Sequence, residues 1–236
     1  MTLLRSALFN LFFFGVTFVM TILLATPVRL AAPQRVLDVA MLWARIMLWA
    51  LRVICGIRLR VSGREHLGDG PALIASRHQS AFDTFVWLTL VPRCCYVLKR
   101  ELLRIPLFGP LLPLGGMIAV DRRGGGVALR GLLRDADRAV HQGRQLVIFP
   151  EGTRAPPGMM LPLQPGVAAL AARTRLPVIP VVTDSGHCWG RRAFQKRAGT
   201  IHIRLLEPIP AGISRDRLMP QLEAALQTEV VENSVG

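Results

Sequence analysis

Residues 71–91 read PALIASRHQSAFDTFVWLTLV. Pro71–Ser76 is a short apolar run of strand character, and a polar cluster follows it at once: Ser76, Arg77, His78, Gln79, Ser80. Phe82–Val91 is then apolar and of helical length. A buried strand, a polar loop and a helix make one unit of an α/β sheet, whose chemistry sits in the loops at strand ends. The alternation continues outward. Strands are expected at Arg58–Gly63, Tyr96–Leu98, Met117–Val120, Gln145–Phe149, Val178–Val182 and Thr200–Leu206. Helices are expected at Val127–His141 (stopped by Gly143), Val167–Arg173 and Ser214–Val231. The fold class expected is α/β, with a mixed, mostly parallel central sheet flanked by helices.

Composition narrows the function. The chain has 236 residues, 51% of them apolar, enough for one well-packed domain with an appendage and too apolar for disorder. Its four cysteines, Cys55, Cys94, Cys95 and Cys188, form no CxxC pair and read as buried, reduced thiols. His66, His78, His141, His187 and His202 are scattered without ligand spacing, so neither a metal nor another cofactor is expected. With 29 Lys+Arg against 15 Asp+Glu the formal charge is +14. A mean hydropathy of +0.40 argues against nucleic acid as the partner, and so does the lack of aromatic residues interleaved with the basic ones. Basic and greasy together point to the negative surface of a bilayer.

The N-terminus supports this. Ala7–Thr26 is twenty residues without a charge, long enough as a helix to cross about 30 Å. Pro27 and Pro33 are expected to end it. Met41–Ile57 is apolar apart from Arg45 and Arg52, which lie seven apart and share one helical face. A signal peptide, with Leu30-Ala31-Ala32 as its small-residue end, and a single spanning anchor are the rival readings. The reading preferred is a membrane-embedded helical pair over residues 1–57, ahead of a second domain over residues 58–236.

Three clusters carry chemistry. His78 and Asp83, five apart, would point about 140° from each other on one helix, so they meet only if His78 lies on the loop and Asp83 in the first helical turn. Ser80 and Asp83 have capping-box spacing, and capping alone is the bland alternative. A carboxylate on one ring nitrogen would instead leave the other nitrogen as a base. Without a GxSxG nucleophile, such a pair suits direct attack by a substrate hydroxyl. Phe149-Pro150-Glu151-Gly152-Thr153-Arg154 follows a strand and offers a guanidinium fork to an oxyanion. Gly115–Arg123 places Arg122 or Arg123 at a strand end, where either suits a phosphate.

His78-Gln79-Ser80-Ala81-Phe82-Asp83, Gly116–Arg122, Phe149–Arg154 and Leu176-Pro177-Val178-Ile179-Pro180-Val181 stand in the order of four motifs. Together they resemble the 1-acyl-sn-glycerol-3-phosphate acyltransferase family of the glycerolipid acyltransferase superfamily. Lys99–Leu102 and Ile105–Gly109 resemble it too, and the likeness covers about residues 59–206. The resemblance makes 58–236 an acyltransferase domain. It implies His78 as general base and Asp83 as its orienting partner. It also implies Glu151, Gly152 and Thr153 beside the acyl acceptor, and Arg122 and Arg154 on its phosphate, with Lys99 adding charge. Arg77 stands where the family commonly has Asn, which bears on acceptor specificity.

The activity implied by the resemblance is transfer of a fatty acyl chain from acyl-CoA or acyl carrier protein to a lysophospholipid, giving phosphatidic acid from 1-acyl-sn-glycerol-3-phosphate. Backbone N–H groups near the helix start are expected to stabilise the oxyanion. The location expected is a membrane bilayer of bacterial inner-membrane type, with the catalytic domain facing the cytoplasm. Alternatives are acylation of another lysolipid such as lyso-ornithine lipid, a thioesterase using water, and a non-catalytic membrane lipid-binding protein.

Overall fold

The computed structural model describes residues 1–122 and 124–228. In chain order its helices are α1 (Thr2–Met20), α2 (Thr26–Ala31), α3 (Val36–Ala50), α4 (Asp83–Leu90), α5 (Leu111–Leu114), α6 (Gly125–His141), α7 (Gly166–Thr174), α8 (Ser185–Cys188) and α9 (Arg215–Leu226). Its strands are β1 (Ile57–Ser62), β2 (Leu73–Ser76), β3 (Cys94–Lys99), β4 (Ile118–Val120), β5 (Gln145–Ile148), β6 (Val178–Thr183) and β7 (Gly199–Leu205). They form one seven-stranded sheet in the order β1-β7-β6-β2-β5-β3-β4. Every neighbouring pair is parallel except β6 and β7. The mixed, mostly parallel sheet is therefore the one expected.

Each strand expected from the sequence is present within a residue or two. The closing helix ends at Leu226, and positions 229–231 of that expectation lie outside the described residues. The central strand β2 is buried along its whole length, and its residues alternate between two cores. Ile74 faces a cluster with Val147, Ile179, Phe82 and Trp87. Leu73 and Ala75 face a second cluster built on α6, α7 and α9.

The first cluster also contains Phe9, Ala44, Met47, Leu51 and Cys55, so the N-terminal helices share the core of the sheet. Buried Lys196 fastens α1. Its backbone N–H donates to Ser6 Oγ at 2.9 Å, its ammonium donates to Asn10 Oδ1, and it lies 4.8 Å from the Trp189 ring centroid.

Two N-terminal expectations need correction. Pro27 does not stop the first helix, which runs on to Ala31. A π-turn at Thr21–Ala25 precedes the proline, and its extra residue per turn makes room for a ring that an α-turn would drive into the carbonyl four residues back. The second helix starts at Val36 rather than Met41, because Val36 is buried and Asp38 favours the positive helix end. It continues through a second π-turn, Leu51–Cys55, and stops at Gly56 with φ +70°.

Candidate active site

β2, β5, β6, β3 and β4 all run the same way, so their carboxyl ends lie on one edge of the sheet. From β2 the chain passes beyond β5 to β3, whereas from the adjacent β6 it passes the other way to β7, so these two neighbouring strands lead in opposite directions, the position where α/β sheets open a crevice. Arg77 N–H continues the pairing for one residue by donating to Val181 O at 2.9 Å, and His78 comes next on open loop.

His78 Nδ1 lies 3.1 Å from Asp83 Oδ2. A carboxylate only accepts, so Nδ1 carries the proton and Nε2 is left as the basic nitrogen. The same Oδ2 accepts the backbone N–H of Gln79 at 2.7 Å and of Ser80 at 2.8 Å. Phe82 N–H in turn donates to Ser80 Oγ at 3.1 Å. Capping and His orientation, rivals in the sequence, are thus performed by one carboxylate. The imidazole is stacked on Phe149, with ring centroids 4.1 Å apart and planes 19° apart, and Phe149 is followed by Tyr96 at 6.1 Å.

Behind this loop Glu151 is buried. Its Oε2 accepts His78 N–H at 2.9 Å, and Ala155 N–H donates to His78 O at 2.7 Å, so the backbone of His78 is held on both sides. Burial pushes the Glu151 carboxyl up, opposed by the His78 N–H and by the Arg77 guanidinium 3.9 Å away. Arg77 also donates to Met159 O and so ties the loop after β5 to the loop after β2.

A cavity of about 550 Å³ opens onto His78. Lys99, Arg122, Arg154, Arg191 and Arg192 line it, with no carboxylate among the described lining residues. Burial lowers the Arg154 guanidinium, and Arg191 and Arg192 add to the effect while Asp83 opposes it. Burial also lowers Arg122, whose Nη1 donates to Gly152 O. The rest of the lining is largely apolar and includes Leu98, Leu112, Met117 and Trp43 and the α1–α2 stretch at Met20, Thr21 and Ala25. Trp43 Nε1 donates to Thr17 Oγ1 at 3.0 Å, which satisfies both polar groups beside this apolar space. A base, a set of cations and a greasy lining in one cavity suit an amphiphile with a phosphate at one end and a reacting hydroxyl near it.

The family model described as "Acyltransferase" matches residues 58–184. The chain belongs to the acyltransferase family. Among its relatives is a 1-acyl-sn-glycerol-3-phosphate acyltransferase of Pseudomonas aeruginosa, 39% identical over 161 residues, which are 68% of this chain and 63% of that protein. Another is the human 1-acyl-sn-glycerol-3-phosphate acyltransferase alpha, 32% identical over 214 residues, 88% of this chain and 74% of that one. The crystal structure of the 1-acyl-sn-glycerophosphate acyltransferase PlsC from Thermotoga maritima has the same fold, with a TM-score of 0.77 at 23% identity over 96% of this chain and 95% of that one.

On this acyltransferase fold most of the residues expected from sequence come together. His78, Lys99, Arg122, Gly152, Thr153 and Arg154 line one cavity, and Asp83 is bonded to His78. Glu151 does not line the cavity; its carboxylate is spent on the His78 backbone. Arg123 lies outside the described residues. The N–H groups of His78, Gln79, Ser80 and Phe82 are all committed to side-chain acceptors, so these four are not free as the helix-start donors expected for an oxyanion. Sequence reasoning missed Phe149, Tyr96, Arg191 and Arg192. The arginines had a signal, since residues 191–197 hold four cations in the connection between two strands.

Proposed function

We propose that this acyltransferase moves a fatty acyl chain from an acyl thioester to the free hydroxyl of 1-acyl-sn-glycerol-3-phosphate, giving phosphatidic acid. The observation that carries the reading is His78, oriented by Asp83, lining one cavity together with five cations and a largely apolar wall. His78 Nε2 takes the hydroxyl proton as the oxygen attacks the thioester carbonyl carbon. The tetrahedral intermediate collapses with cleavage of the C–S bond, and the imidazolium returns its proton to the departing thiolate. A positioned base of this kind contributes roughly 10²–10⁴-fold. Arg122, Arg154, Arg191, Arg192 and Lys99 hold the acceptor phosphate, and Thr153 lies beside it. Gly152, with φ +72°, gives the tight turn that sets the β5 loop against them. Glu151 positions His78 through its backbone instead of touching the acceptor.

The N-terminal helices are proposed to lie in one leaflet. α1–α2 is long and apolar enough to cross a membrane. Yet Ser6 and Asn10 near one end are bonded to Lys196, and Thr21 and Ala25 near the other line the cavity. A helix fastened lengthwise to the catalytic domain keeps that domain level with the membrane surface. Leu4, Leu11, Phe14 and Phe18 are exposed on its outer side. The net charge of +14 and four buried free thiols support a cytoplasmic, anionic face of an inner membrane.

The test is product analysis with labelled acyl thioester, as coenzyme A or carrier-protein ester, given with 1-acylglycerol-3-phosphate and with other lysolipids including lyso-ornithine lipid. Labelled phosphatidic acid, abolished by His78→Ala, is the expected result. Free fatty acid alone would make the chain a thioesterase, and no product from any acceptor would leave a lipid-binding protein.

A further inference from the structure

The segment between β3 and β4 carries apolar residues that line the cavity and apolar residues exposed outside it. Leu102, Phe108, Leu111 and Leu112 line the cavity. Ile105 and Leu107, which do not line it, are 42% and 44% exposed. No layer of the described residues covers them. A wall between a greasy cavity and water would normally present polar residues outward.

The turn is built to hold this outline. Gly109 is buried, and a Cβ there would lie 2.1 Å from Leu103 O, so glycine alone fits. Gly109 N–H donates to Ile105 O at 2.8 Å and Phe108 N–H to Pro106 O at 2.7 Å. Leu107 at the tip has φ +65°, a conformation that favours glycine or asparagine. The chain keeps a leucine in that unfavourable position and leaves it uncovered. Arg104 is exposed on the flanking turn, where it matches anionic headgroups, and Arg100 beside it is also exposed, 3.7 Å from Asp121. The wall is also continuous with the helical pair: Leu114 shares a hollow with Pro33 and Gln34, the turn between α2 and α3.

We propose that Ile105–Phe108 is a third membrane-contacting element, seated in the same leaflet as the helical pair and forming the outer lip through which the lipid reaches the cavity from the side. This element rests on the proposed placement of α1–α3 in one leaflet.

The test uses full-length protein labelled at one introduced cysteine with an environment-sensitive fluorophore, at Ile105→Cys, at Leu107→Cys, or at Phe14→Cys on α1. The four native thiols are buried, so labelling favours the new site. Vesicles of phosphatidylcholine and phosphatidylglycerol should shift all three labels to the blue and allow nitroxide lipids to quench them. A shift at Phe14→Cys alone would overturn the third element and leave the helical pair in the leaflet. No shift at any position would overturn both. A shift without vesicles that grows with protein concentration would make the turn a contact between copies and overturn the proposal. As a label-free check, Ile105→Ser combined with Leu107→Ser should weaken vesicle binding roughly tenfold or more; unchanged affinity would refute it.

Discussion

Replacing Asp83 by Asn removes one charge and little else. The amide oxygen can still accept from Gln79 and Ser80, whose N–H groups lie 2.7 and 2.8 Å from Oδ2, so the loop and the start of α4 are retained. The loss is the anion 3.1 Å from His78 Nδ1 as the ring becomes cationic. Two unit charges 4 Å apart interact by about 4 kcal/mol at an effective dielectric constant of 20. A half-transferred proton at the transition state forfeits about 2 kcal/mol, and a fully transferred one about 4. At 1.36 kcal/mol per tenfold, kcat should fall roughly 30- to 1000-fold, with KM for the lysolipid nearly unchanged. Asp83→Ala should lose the same activity and also stability, since two buried N–H groups are orphaned at about 1–3 kcal/mol each. The assay is steady-state acyl transfer on Asp83→Asn, His78→Ala and the double variant, with thermal unfolding of each. Because the two side chains act as a unit, the double variant should be no slower than His78→Ala alone. Wild-type kcat in Asp83→Asn, or losses that multiply in the double variant, would refute the dyad.

Single features of the structure give further outcomes. Burial raises the Glu151 carboxyl, so the folded state holds its proton to higher pH than the unfolded chain, and stability attributable to it falls as pH rises above the ordinary carboxylate range. Glu151→Gln should therefore gain thermal stability relative to wild type at neutral pH, with the gap closing below about pH 4.5; a gap that widens on acidification would contradict this. Arg191→Ala and Arg192→Ala should each raise KM for 1-acylglycerol-3-phosphate about tenfold or more while sparing kcat, as loss of a charge-assisted phosphate contact requires. An unchanged KM in both would remove them from the site. Gly152→Ala, at φ +72° with its new Cβ 3.2 Å from Gln164 Cγ, should cost about 1–2 kcal/mol in denaturant unfolding. Cys95 is buried with its thiol pushed up to about 12, so mass spectrometry should find it unalkylated at pH 8 until the protein unfolds.

Much of the site was legible because its chemistry is local. His78 and Asp83 are five residues apart across a loop-to-helix junction, and the capping-box spacing of Ser80 with Asp83 already placed the carboxylate beside the loop backbone. Arg122 and Arg154 were readable for a similar reason, since each comes just after a short apolar strand. Glu151 was visible as a residue but not in its task. Its oxygen meets the His78 N–H only because β5 is hydrogen-bonded to β2 in a register that pairs Ala75 with Ile148. Phe149 stacks on His78 for the same reason, and nothing in the local sequence distinguishes it from an ordinary strand-end aromatic.

The sequence by itself determined the alternation of strands and helices, the charge, the greasy N-terminus and the dyad, because periodicity, capping and short-range hydrogen bonding act over a few residues. Tertiary structure alone decided that Arg191 and Arg192 join Arg122 in one cavity, and that the N-terminal helices wall the cavity and share the core of the sheet. It also carried the first helix through Pro27, since a π-turn next to the cavity relieves a clash that propensity counts as a stop. Those outcomes depend on which surfaces bury each other across more than a hundred residues of chain, and burial is a property of the assembled fold.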